Sequence, residues 1–143
     1  MDPSRTPALA AISLLVTLAA CASNPPARGT ANSQLAQSAE ALEQNARVLA
    51  SRSDAMPPSF KADAHELQQH AYDLRMATAS GRASDSELRA DFDQVTRSYQ
   101  ALRSEAQQLD SQEAHGALDL VDGPYHDVAA QLGNSKSGTA PGT

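Results

Sequence analysis

Leu35-Ala-Gln-Ser-Ala39-Glu-Ala-Leu42-Glu-Gln-Asn-Ala46-Arg-Val-Leu49 is the stretch that decides the fold. Its apolar residues Leu35, Ala39, Leu42, Ala46 and Leu49 recur in alternating steps of four and three. Such steps average about 3.5 residues, the repeat of helices packed side by side with a left-handed twist. The same spacing returns in Phe60, Ala64, Leu67, Ala71 and Leu74. It returns again in Leu88, Phe92, Val95, Tyr99 and Leu102, running on to Ala106 and Leu109. Val121, Tyr125, Val128 and Leu132 make a shorter fourth stripe. Four amphipathic stripes predict an all-α fold, a small antiparallel bundle with three long helices and one short, Pro-kinked helix.

The punctuation between the stripes agrees. Met56-Pro57-Pro58-Ser59 separates the first two, with Ser59 the expected N-cap of the second. Gly81 is suited to the left-handed turn that ends the second helix. Ser84-Asp85-Ser86-Glu87 reads as a capping box opening the third, and Asp85, Glu87 and Asp91 place negative charge at its dipole-positive end. His115-Gly116 and Gly133 are expected to bracket the fourth, with Asp122-Gly123-Pro124 bending it. In the first two helices the seam alternates large residues with Ala, whereas the third carries Phe92 and Tyr99. Large against small fills a core, so these rings are expected against Ala39, Ala46, Ala64 or Ala71.

Composition sets the outer limits. From residue 22 to 143 there are 22 large apolar side chains (11 Leu, 4 Val, 3 Tyr, 2 Phe, 2 Met) and no Ile, enough for one small core and unfavourable to a sheet. The net charge of −6 and the interspersed arginines argue against a nucleic-acid partner, which calls for clustered cations. A single Cys excludes an internal disulfide framework and Cys-based metal centres.

That Cys sits in a distinctive place. Ala8 to Ala20 is an uncharged run of thirteen residues, preceded by a weakly positive segment carrying Arg5. The run is too short for a hydrocarbon core of about 30 Å and suits the apolar region of a secretory signal. It ends in Leu18-Ala19-Ala20-Cys21, which resembles the lipobox of bacterial lipoproteins. The resemblance implies cleavage between Ala20 and Cys21, a diacylglycerol on the Cys21 sulfur and an N-acyl chain on its new amine. Two or more chains hold a protein stably on a membrane, at roughly 0.8 kcal/mol per buried methylene. Ala22 follows, not the Asp that in enterobacteria-like sorting retains lipoproteins in the inner membrane. The resemblance therefore implies an outer membrane and a periplasm-facing domain. The organisation expected is a signal at 1–20, a lipidated Cys and flexible tether at 21–32, a bundle at 33–133 and a disordered tail at 134–143. No cofactor other than the acyl chains is expected.

Candidate chemistry is sparse. His65-Glu66-Leu67-Gln68-Gln69-His70 looks like the His-Glu-x-x-His zinc motif, but its histidines are five apart, roughly 140° around a helix. Glu66 and His70 stand at i and i+4 and share a face, so with His126 or His115 they outline a metal or small-ligand site if the helices carrying them converge. Tyr125-His126-Asp127 groups a phenol, an imidazole and a carboxylate, yet consecutive helical residues point in different directions. No nucleophile elbow or phosphate loop is present, so the reading is non-enzymatic. Val48, Tyr72 and Met76 lie off the seam, and either widen the core stripe or form a strip for a partner helix. The function expected is a binding, structural or adaptor role at the membrane surface, with an envelope protein as partner. The alternative is a periplasmic metal or small-ligand binder.

Overall fold

A computed structural model describes residues 28–134. The signal, Ala20, Cys21 and the tail from 135 onward lie outside the described residues. Within them the chain forms α1 (Arg28–Arg52), a short 3₁₀ turn (Ser53–Ala55), α2 (Pro58–Ser80), α3 (Asp85–Leu109) and α4 (Gln112–Asn134). None of these helices is long and apolar enough to cross a membrane.

The helices form a closed ring in which α1 packs on α2 and α4, and α3 packs on α2 and α4. Short connections between neighbours make the bundle antiparallel, and cross-helix bonds record it. Ser59 at the start of α2 donates to the Glu105 carboxylate near the end of α3. Arg89 near the start of α3 reaches the Leu132 carbonyl near the end of α4 at 3.4 Å. The Gln131 amide donates to Ser38 of α1 at 2.8 Å.

The seams lie where the spacing places them. Ala39, Leu42, Ala46, Leu49, Phe60, Ala64, Leu67, Ala71 and Leu74 are fully buried, as are Val95, Leu102, Ala106, Val121 and Val128. The Ala positions let α1 approach α2 and α4 closely, and α2 approach α3. The backbones of α3 and α4 approach least closely of the four neighbouring pairs. Aromatic rings fill that gap. Tyr125 of α4 stacks on both Phe92 and Tyr99, with ring centroids 5.2 and 4.3 Å apart. The two α3 rings thus grip a third aromatic ring, a partner that the large-against-small expectation did not include.

Two boundaries follow the local chemistry as expected. Ser84 and Glu87 form a reciprocal capping box at α3. Gly81 ends α2 with a φ of 62°, a left-handed conformation that costs glycine nothing. Others differ. The N-cap of α2 is Pro57 with Pro58 at the first helical position, not Ser59, because proline's fixed φ and missing donor suit a helix start. Ser59 is thereby freed for Glu105. Helix α1 starts at Arg28, inside the stretch expected to be tether.

The fourth helix is neither short nor bracketed by its glycines. It is 23 residues long, as long as α2, and carries Gly116, Gly123, Pro124 and Gly133 inside its bounds. Ser111 caps it, accepting from the Ala114 amide at 3.3 Å. Ala114, Ala117 and Leu118 are buried and extend the stripe one helical repeat towards the N-terminus. Against this stands a propensity deficit of about 3 kcal/mol for an interior Pro and about 1 kcal/mol for each interior Gly, relative to Ala. Tertiary packing therefore decides that α4 is a helix.

Candidate functional site

Three large apolar side chains stand exposed among the described residues, two of them together on α2. Val48 and Tyr72 are each 40% exposed and Met76 is 47% exposed. They do not widen the core stripe; they stand on the surface. Tyr72 and Met76 are one turn apart on α2, and Arg75 between them joins the pair. Its guanidinium lies 5.4 Å from the centre of the Tyr72 ring, and one Nη donates towards the Met76 sulfur at 3.6 Å.

Arg75 also faces a buried carboxylate. Glu43 on α1 is 4% exposed, the only acidic side chain buried among the described residues. Arg47, one turn on, donates to its Oε1, while Arg75 Nε sits 3.6 Å from Oε2. That second distance makes an ion pair but is too long for a hydrogen bond, and Arg75 Nε is left buried without one. Beside these groups a groove of about 410 Å³ runs between α1 and α2, lined by Glu43, Arg47, His65, Gln68, Gln69 and Tyr72. Tyr, Arg and Met are the side chains enriched where proteins bind one another.

Glu43 escaped the sequence reading because a Glu with an Arg four residues on looks like an ordinary solvated helix pair. One signal was available. Glu43 and Ala50 occupy the same heptad position, next to the seam residues Leu42 and Leu49, and both are buried.

The residues proposed as ligands do not assemble. Glu66 is exposed and His70 half-buried on α2, while His126 lies exposed on α4. Those helices sit diagonally across the ring, with at most marginal backbone contact. His70 instead pairs through Nδ1 with the buried Ser98 hydroxyl of α3 at 2.9 Å, and His126 Nε2 lies 3.7 Å from Asp122. Among the described residues no group of three or more His, Cys, Asp and Glu is arranged to hold a metal ion.

His115 belongs to a different groove, of about 340 Å³ between α3 and α4, with Tyr99, Arg103, Gln107, Leu118, Asp119 and Asp122. There the Tyr99 hydroxyl donates to the Asp122 carboxylate. Burial, with Asp122 beside it, pushes the Tyr99 phenol up to about 12. Tyr125 donates to Thr96 at 3.3 Å and takes no part in a relay with Asp127.

No family model matches this sequence, and no curated protein or solved structure matches it.

Proposed function

We propose that the protein is a lipid-anchored envelope protein with a non-enzymatic adaptor role, held at the periplasmic face of an outer membrane through Cys21. The Leu18-Ala19-Ala20-Cys21 motif supports the anchor. The exposed Tyr72–Arg75–Met76 patch beside the Glu43 groove carries the adaptor reading, because it gathers interface-type side chains within one turn of α2, next to α1. An envelope protein is the partner proposed for it.

The test places a photo-crosslinking amino acid at Tyr72 or Met76 in cells, with Gln107 on the α3–α4 side as the control position. One discrete adduct from 72 and 76, absent from 107 and lost in Cys21→Ala, is the expected result. Equal labelling from all three positions would refute the patch. Labelled palmitate incorporated into Cys21→Ala would refute the anchor.

The α3–α4 groove favours a second reading, small-ligand binding, with Arg103 and His115 near Asp119 and Asp122. It does not depend on Glu66, His70 and His126 meeting. A thermal shift with a polar ligand that is lost in Arg103→Ala would favour it over the adaptor role.

A further inference from the structure

The glycines of α4 have no structural reason to be glycines. Neither Gly116 nor Gly123 has a positive φ, and a Cβ built at either position meets nothing within 4 Å. The folded bundle would accept alanine at both. Pro124 follows at once, removing the donor that the Leu120 carbonyl would take one turn back. By contrast α3 holds no Gly or Pro, α2 holds only Pro58 at its first position, where it favours the helix, and α1 holds only Gly29 in its first turn. Helix-weakening residues are therefore concentrated in one element of four.

What holds α4 is docking: Ala114, Ala117, Leu118, Val121, Val128 and Leu132 are buried, and α4 packs closely on α1 and loosely on α3. Tyr125 is inserted between Phe92 and Tyr99, Asp122 accepts from Tyr99, and Gln131 and the Leu132 carbonyl bond to Ser38 and Arg89. On the α3 side the backbones are held apart by rings. The connection to α3 is only Asp110 and Ser111, and Asp110 has a φ of 45°, a left-handed conformation unfavourable for a residue other than glycine. No described helix follows α4, so its departure drags no other described helix with it.

We propose that α4 is a releasable helix: the bundle opens by undocking and unwinding α4 while α1, α2 and α3 stay folded. Its glycines and proline keep α4 below the stability of the other three, so that this partial opening precedes global unfolding. Opening uncovers the apolar faces of α1 and α3 that α4 covers. The inference is independent of the lipid anchor and of the α1–α2 patch.

Native-state hydrogen exchange of the full chain tests it. The expected result is a common protection factor for the α4 amides at least about tenfold below that of the slowest amides in α1–α3. Gly116→Ala should raise α4 protection about fivefold. Ser84→Ala, which weakens only the start of α3, should lower the slowest α2 and α3 amides about fivefold and leave the α4 amides unchanged. Equal protection in all four helices would overturn the proposal. So would α4 amides that follow the α2 amides in Ser84→Ala, or that do not respond to Gly116→Ala.

Discussion

The α1–α2 hairpin and the α3–α4 hairpin carry the same seam spacing and reach it by different means. The first is a closely packed pair in which Ala39, Ala46, Ala64 and Ala71 let the backbones approach, and neither helix is interrupted by an interior Pro. The second is wedged open by Phe92, Tyr125 and Tyr99, and one of its helices contains Gly116, Gly123 and Pro124. The lesson is a division of labour. The seam decides where each helix lies, and residues off the seam decide how well it stands without its neighbours.

The largest effect should come from the tight hairpin. Leu67 is fully buried, and Leu67→Ala should cost about 2–5 kcal/mol, read as a lower denaturation midpoint with an unchanged slope. The corresponding change in the wedged hairpin, Val128→Ala, removes a smaller group, without the extra carbon of Leu, and should cost about 1.5 kcal/mol. Equal losses at the two sites would break the comparison.

Glu43→Gln sharpens it from the polar side. The buried carboxylate faces Arg75, whose Nε already lacks a hydrogen bond. Removing the charge ends the ion pairs with the exposed Arg47 and the partly exposed Arg75 and leaves the buried Arg75 Nε without a facing charge, so the expected loss is about 1–2 kcal/mol by chemical denaturation. No loss would mean that Arg47 and Arg75 are fully hydrated in solution and that the groove is wetter than its burial indicates.

In the wedged hairpin the corresponding polar contact is the Tyr99 hydroxyl on Asp122. Tyr99→Phe should cost about 1 kcal/mol. The pH dependence follows from the raised phenol. Because the folded state holds the Tyr99 proton up to about 12 while the unfolded chain releases it near the ordinary phenol value of 10.0, its contribution is complete below pH 10. It is lost as pH rises from 10 towards 12. Asp122→Asn should bring the phenol's ultraviolet titration to lower pH, since the Asp122 carboxylate accepts the phenol's proton and repels the phenolate. Burial, the largest cause, remains, so the return should be partial.

The fold was legible because periodicity is a strong signal over 15 residues or more, and the stripes of α1, α2 and α3 lie buried as their spacing requires, apart from the partly buried Phe92 and Leu109. The α3 cap was legible because a capping box is local chemistry. The length of α4 was not. Its glycines and proline argue against a helix locally, and only docking on α1 and α3 overrides them. The Ala114–Leu118 extension was hidden for the same reason, since Ala scarcely marks a stripe beside Gly116. At the candidate site, Tyr72 and Met76 were visible as off-seam apolar residues, but nothing in their spacing told surface from core. Whether Glu66, His70 and His126 meet depends on which helices are neighbours around the ring, and a sequence of stripes leaves that order open.

The smallest expected effect concerns the α2–α3 boundary, which lies between the two hairpins. Asp91, Ser98 and Glu105 occupy one heptad position of α3, and Ser98 and Glu105 bond to His70 and Ser59 of α2. Asp91 is different. Burial first, then Asp73 of α2 and Glu87, raise its carboxyl above the usual range. A raised carboxyl means that the folded state disfavours the charge, so at pH 7 Asp91 works against folding. That penalty fades as pH falls through the folded-state value and is absent once the carboxyl is protonated in both states. Asp91→Asn should therefore raise the melting temperature slightly at pH 7 and not at all at about pH 3, below the ordinary carboxylate range. A destabilised Asp91→Asn at pH 7 would mean that the charge's attraction to the start of α3 outweighs its burial and its repulsion by Asp73 and Glu87. The polar column would then be favourable at every position, with Asp91 contributing through its own helix and Ser98 and Glu105 through α2.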